Sequence, residues 1–277
     1  MISPITPLLN DAMNQKYAVG AFNVYNYETI LGVLKAAKKE GVPVIIAFGE
    51  RYLENMDFDT VVSITERLAC EFSIPLVLHL DHCKSFEHIV QAIRAGFTSV
   101  MFDGSSLPFE ENMLKTSEIV RIAHAVGVSV EAELGAIALG DRSNEESAKQ
   151  IYTDPSQAKI FVDKSGVDAL AVSIGTVHGL YKGEPKIDIN TLKKIHSAVQ
   201  IPLVLHGGSG TPEHILRDCI HNGICKINVN TEISTNVVDQ LQELLFMGKK
   251  YHLSKLSLAM VDFVMQVVRK YMKIFKG

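Results

Sequence analysis

Short runs of branched apolar residues alternate with segments of helical spacing along this 277-residue chain, and that alternation constrains the fold more than any other feature. The runs read as strands at Tyr17 to Phe22, Pro43 to Phe48, Leu76 to His82 and Thr98 to Asp103. Four more follow at Val128 to Leu134, Ala169 to Ile174, Pro202 to His206 and Ile224 to Asn230. Runs this continuously apolar suit parallel strands covered on both faces. Between them, helical spacing extends over Glu28 to Glu40, Asp59 to Glu71, Ser85 to Ala95, Phe109 to Ala125, Pro155 to Ser165, Asn190 to Val199 and Pro212 to His221. Gly41, Gly96 and Gly127 mark helix ends. No dinucleotide glycine fingerprint follows the first strand, so the pattern predicts an α/β fold of the closed (β/α)8 TIM-barrel type rather than an open sheet. Residues 1–277 then form one barrel domain, with 233–277 as a C-terminal helical arm whose clearest part is Leu256 to Phe275.

Charge narrows the partners. The formal net charge is −4 and the pI about 6.2, with no basic block, which argues against nucleic acid or a membrane surface and for a small molecule. The first residues lack a basic region followed by an apolar one, and no apolar run is long enough to span a bilayer, so a cytoplasmic protein is expected. Cys70, Cys83, Cys219 and Cys225 have neither zinc-site spacing nor disulfide density and read as reduced core residues.

Barrel active sites lie where the strands end, and polar residues collect there. The third strand ends in Asp81 and His82, the seventh in His206 and Gly207-Gly208-Ser209-Gly210, and the sixth leads through Gly175 to His178. Asp103, Glu133 and Asn228 fall at the same end. Three imidazoles with an open position form the ligand set of a catalytic zinc ion. The other seven histidines lack such placement; His79 is expected on the opposite side of its strand from His82. Asp81 suits a general acid or base, or a carboxylate that orients an imidazole. Glu131 and Glu133 share a strand face, as support or ligand for a metal, or as an internal ion pair with Lys226. The Gly207 to Gly210 loop and the stretch Asn228 to Thr231 suit phosphate binding through backbone N–H groups, with a tight turn as the plain alternative for the loop. The long connection from Gly135 to Asp154, with Asp141, Arg142, Glu145 and Glu146, reads as a lid.

Taken together, these motifs resemble the class II, metal-dependent ketose-bisphosphate aldolases, in the branch that acts on fructose and tagatose 1,6-bisphosphates. The likeness runs from about Tyr17 to Thr231 and rests on Leu78-His79-Leu80-Asp81-His82, Val130 to Gly135, Val177-His178-Gly179, Leu205 to Gly210 and Lys226 to Thr231. It implies that His82, His178 and His206 bind Zn²⁺, with Glu133 and Asp103 near an alternative metal position, and that Asp81 is the proton donor to the aldehyde oxygen in condensation. Gly179, Gly207, Gly208, Ser209, Asn228, Val229, Asn230 and Thr231 would hold dihydroxyacetone phosphate, with a monovalent cation such as Na⁺ beside the phosphate, and Asn23 would face the substrate. A lid carboxylate would carry the second proton, at Asp141. The family also implies a homodimer or homotetramer. The chain departs from the family pattern at Ala138-Leu139, where the lid usually begins with two glycines, at Asp141 in place of a glutamate, at Cys83, and at Gly49, where a serine is frequent. Arg269 in the arm is a candidate for the far phosphate of a neighbouring subunit. An aldolase for a deoxy or singly phosphorylated sugar and a non-catalytic sugar-phosphate sensor are the competing readings.

Overall fold

The computed structural model describes residues 2–145, 149–246 and 250–276; Glu146 of the lid lies outside them. The chain opens with α1 (Ile5–Gln15), β1 (Val19–Asn23), α2 (Tyr27–Glu40), β2 (Val44–Gly49), a 3-10 turn (Glu50–Glu54), α3 (Phe58–Phe72) and β3 (Leu76–Cys83). Next come α4 (Phe86–Ala95), β4 (Ser99–Phe102), α5 (Phe109–His124), β5 (Ser129–Leu134), β6 (Ala138–Leu139) and α6 (Pro155–Ser165). It ends with β7 (Ala169–Val172), β8 (Val177–His178), α7 (Ile189–Ala198), β9 (Leu203–Leu205), α8 (Glu213–His221), β10 (Ile224–Val229), α9 (Thr231–Phe246) and α10 (Leu253–Phe275). Local chemistry sets the helix starts: Asn26, Asp57, Ser85, Asp154 and Asp188 each accept a backbone N–H of the first turn that follows.

β1, β2, β3, β4, β5, β7, β9 and β10 close into a parallel barrel, β10 pairing back onto β1. The expected (β/α)8 barrel is therefore what forms. β6 and β8 are extra: they pair with each other in a small parallel sheet at the strand exits. The larger apolar cluster lies between barrel and helices, and a smaller one, with Val19, Ala21, Ile45, Ala47, Val77, Ala169, Ala171 and Val204, fills the lower barrel interior. Alternation along each strand puts Asn23 and Asp81 on that same inward face, further along the strands. Ile5, Leu9 and Ala12 of α1 belong to the inner cluster, so α1 stops the end of the barrel opposite the site. No element read from the sequence covers α1.

The arm consists of α9 and α10. α10 lies along α2, where Arg269 Nε donates to Glu40 Oε1 at 2.6 Å and Ser257 Oγ to Glu28 Oε1 at 2.6 Å. Arg269 is thus held within its own chain. Among the described residues, no helix is long and apolar enough to cross a membrane.

Candidate active site and metal centre

Strict alternation would turn His82 away from Asp81, yet both reach the barrel mouth. His82 has φ +47°, and the pairing of β3 with β4 shifts register between Leu80 and Cys83. This irregularity swings the imidazole back over the strand end. His79, expected on the far side, instead points into the interior beneath the site, with Nδ1 2.8 Å from Ser99 Oγ and Nε2 3.7 Å from Glu131 Oε2. Burial and the Lys226 charge push its pKa down to about 3, so it is neutral.

The three imidazoles that end separate elements converge. Ring centroids of His82 lie 4.5 Å from His206 and 4.9 Å from His178, and those of His178 and His206 are 6.0 Å apart. Donor atoms of all three fall within 4.8 Å of one another. His178 Nε2 is buried with no hydrogen-bond partner among the described residues, a cost that a bound cation would remove. Burial, and after it the positive His82, hold His178 well below its ordinary pKa, which keeps its lone pair available. His206 is lowered for the same two reasons. The donor set fits Zn²⁺ with an open fourth position. In a second group, His82 with Asp103 and Glu133, the donor atoms also lie within 4.8 Å of one another. Asp103 Oδ2 lies 3.0 Å from His82 Nδ1, and Glu133 Oε2 is buried, 4.0 Å from the same nitrogen, with no hydrogen-bond partner among the described residues. Burial, and then the Asp103 charge, raise Glu133 well above an ordinary carboxylate.

Two amides fix Asp81. Asn23 Nδ2 donates to Oδ2 at 2.9 Å, and Asn228 Nδ2 donates to Oδ1 at 3.0 Å. Burial alone would raise its pKa, but the positive charges of His82 and Lys226 outweigh it and leave the carboxyl strongly acidic.

Gly207, with φ +77°, turns the chain out of β9 so closely that a Cβ would lie 2.3 Å from Val177 O. Ser209 Oγ then accepts N–H groups from Asn230 (3.3 Å) and Glu232 (3.1 Å), joining this loop to the start of α9. The loop is also held from outside, since Gly210 N–H donates to Glu232 Oε2 and to the Tyr271 hydroxyl of α10, both at 3.1 Å.

A small cavity of about 20 Å³ connects these parts and is lined by Asn23, Asp81, His82, His178, Gly179, His206, Gly207, Ser209, Asn228, Asn230, Thr231 and Glu145. An adjoining cavity of about 90 Å³ shares His82, His178 and Glu145 and adds Asp103, Glu133 and Arg51. Of the residues expected at the site, three contribute no lining to either. Gly208 gives its N–H to Asn228 O at 2.9 Å, and Val229 packs in the layer between barrel and helices. Asp141 is exposed and pairs through its backbone with Leu180.

A model of the class-II fructose-bisphosphate aldolase family matches residues 3–277. The chain belongs to this family. Its relatives include the fructose-bisphosphate aldolase of Geobacillus stearothermophilus, 46% identical over 243 residues that cover 86% of this chain and 84% of that one. A probable fructose-bisphosphate aldolase of Bacillus subtilis strain 168 is 43% identical and covers 87% and 85%. Among solved structures, the YdjI aldolase of Escherichia coli K12 superposes with a TM-score of 0.89 at 36% identity, covering 99% of this chain and 97% of that one. Class-II aldolases are aldehyde-lyases that depend on zinc, and the three-histidine cluster is the feature of this member that fits the ion.

Two features of this aldolase escape its sequence motifs. Arg51 donates to Asn144 O and pairs with Glu145, and Tyr52 receives Nδ2 of Asn144 (3.1 Å) and of Asn230 (3.0 Å). Both follow a strand exit, where barrel sites are built, and position alone was the available signal. Gly49 lies against the same turn: a Cβ there would lie 3.2 Å from the Tyr52 ring, a tight contact that a small shift of the ring would relieve.

Proposed function

We propose that this aldolase reversibly cleaves a ketose 1,6-bisphosphate, fructose or tagatose, into dihydroxyacetone phosphate and glyceraldehyde 3-phosphate. The observation that carries the reading is the convergence of His82, His178 and His206 beside an amide-clamped Asp81. When bound to the three imidazoles, Zn²⁺ supplies Lewis-acid charge for the electrons released by C3–C4 cleavage. Asp81, ionised by its surroundings, takes the proton of the C4 hydroxyl in cleavage and returns it to the aldehyde oxygen in condensation. Asn23 and Asn228 hold the carboxylate at one orientation for both directions.

Gly179, Gly207, Ser209, Asn230 and Thr231 line the cavity on the dihydroxyacetone phosphate side, with a monovalent cation such as Na⁺ beside the phosphate. Gly208 and Val229 stand behind these walls without lining them, Gly208 through its N–H bond to Asn228 O, and Asp103 and Glu133 offer the alternative metal position. The protein works in the cytoplasm as a homodimer or homotetramer; exposed Phe246, Leu253 and Leu258 on the arm support a contact there.

A second reading has its own support. Arg269, the candidate for the far phosphate, is engaged with Glu40, and Gly49 offers no side chain where a serine is frequent. These observations favour a same-mechanism aldolase whose aldehyde half carries no phosphate. Release of dihydroxyacetone phosphate from fructose 1,6-bisphosphate, tagatose 1,6-bisphosphate and fructose 1-phosphate separates them. Faster cleavage of either bisphosphate supports the first reading, its rate ratio naming the sugar; faster cleavage of the monophosphate replaces it with the second.

A further inference from the structure

The reaction needs a second proton carrier, for the carbon of dihydroxyacetone phosphate that forms or loses the bond, and the lid is the element that can bring one. The lid base is immobilised. Gly140 N–H donates to His178 O at 2.7 Å, Asp141 N–H donates to Leu180 O at 2.7 Å, and Leu180 N–H donates back to Asp141 O at 2.8 Å. A Cβ at Gly140 would lie 2.4 Å from Leu180 O, so the two segments are in close contact as well as hydrogen-bonded. Ala138 and Leu139, where the family carries two glycines, are the strand residues β6 of that base and not a hinge. In this stitched base Asp141 is exposed and lines neither cavity.

Four residues on, the chain turns back to the site. The Glu145 side chain is only 13% exposed and lines both cavities, beside His82 and His178. It is held there by contacts from the turn that follows β2. The Arg51 guanidinium binds the Glu145 carboxylate with one nitrogen and the Asn144 carbonyl with another, a two-point grip that fixes both backbone and side chain. The Asn144 amide donates to Tyr52 Oη at 3.1 Å, and Tyr52 Oη also accepts from Asn230, a residue of the cavity wall.

We propose that Glu145, positioned by Arg51, is the catalytic lid carboxylate of this aldolase, in the role the family pattern assigns to position 141. The inference rests on the aldolase reading and adds the identity of the proton carrier. In the enolisation of dihydroxyacetone phosphate, the Glu145 carboxylate takes a proton from the hydroxymethyl carbon. The C–H electron pair becomes the carbon–carbon double bond of an enediolate, and the former carbonyl oxygen takes the negative charge. After cleavage of the hexose the same events run backwards, and the carboxylic acid returns its proton to carbon. Glutamate reaches one methylene further than aspartate, which suits a side chain that enters from the tip of a lid. Arg51 is a positioning residue in this scheme.

The test follows hydrogen–deuterium exchange of dihydroxyacetone phosphate in D₂O by NMR, with the zinc-loaded full chain. Glu145→Gln is expected to slow exchange by at least about 10²-fold, and Asp141→Asn to remain at least about 10-fold faster than Glu145→Gln. Arg51→Ala, which leaves the carboxylate present but unheld, is expected to slow exchange while dihydroxyacetone phosphate still binds, and Arg51→Lys to restore part of the rate. Zinc content and circular dichroism, matched to wild type, show that the variants are folded; Arg51→Ala carries the test if Glu145→Gln does not fold. Exchange slowed as much by Asp141→Asn as by Glu145→Gln, or an Arg51→Ala rate equal to wild type, would overturn the assignment and leave the aldolase reading intact. No exchange by the wild-type protein would overturn both.

Discussion

Glu131 and Lys226 form an ion pair inside the barrel, with Lys226 Nζ 2.8 Å from Oε2 and 3.0 Å from Oε1 and both side chains wholly shielded from water. Oε1 is also 2.9 Å from His206 Nε2. Burial would raise the Glu131 pKa, but Lys226 overrides it and keeps the carboxylate ionised. An ionised carboxylate only accepts, so His206 Nε2 must carry the proton and Nδ1 keeps its lone pair for a metal. The lysine supports the three-histidine cluster without touching it.

Removing that lysine strands a buried charge. Lys226→Met should lower unfolding free energy by about 3–5 kcal/mol, measured as a reduced midpoint in urea. A loss below about 1 kcal/mol, the range of surface pairs, would show that Glu131 finds another partner.

Gly207 offers a backbone test. Its φ of +77° and the 2.3 Å separation between an added Cβ and Val177 O leave no room for alanine. Gly207→Ala should cost about 1–3 kcal/mol of stability through the left-handed conformation alone. It should also weaken dihydroxyacetone phosphate binding in a calorimetric titration, because the loop carrying Ser209 is displaced. Wild-type affinity would show that this loop does not hold the phosphate.

Acid should loosen the arm through Glu232. This carboxylate accepts from Lys270 Nζ at 2.6 Å, from the Tyr271 hydroxyl and from Gly210 N–H. Burial acts to raise its pKa, but these donors prevail and leave it below the ordinary 4.5. A depressed folded-state pKa means stability that is fully present above pH 4.5 and is lost as pH falls through the lower, folded value. Glu232→Gln should therefore be less stable than wild type at pH 7, with the gap narrowing below pH 4.5. Paired thermal melts across that range measure it, and a gap that widens in acid would reverse the sign.

The barrel was legible because its physics is periodic. Strand runs buried on both faces and helices ended by Gly41 and Gly96 repeat the same signals, so the elements fall within a few residues of their expected places. His82, His178 and His206 were legible because strand ends are where such folds place reactive groups. What stayed hidden depends on departures from period or on contacts distant in sequence. The positive φ of His82 breaks alternation and put His79 on the wrong side in the sequence reading. Arg51 and Glu145 meet across 94 residues, and nothing local to either announces the other. Asp141 looked suitable from its position in the lid, but its backbone pairs with Leu180, a contact invisible in the sequence, and it is exposed and lines neither cavity.

A zinc titration of metal-free protein, following dihydroxyacetone phosphate release from fructose 1,6-bisphosphate and tagatose 1,6-bisphosphate, tests the metal dependence of cleavage. The three-histidine site predicts activity that rises in proportion to added Zn²⁺, levels off at about one ion per chain, and disappears on chelation. Cleavage by rigorously metal-free protein, or no cleavage of either sugar at any zinc load, would contradict it.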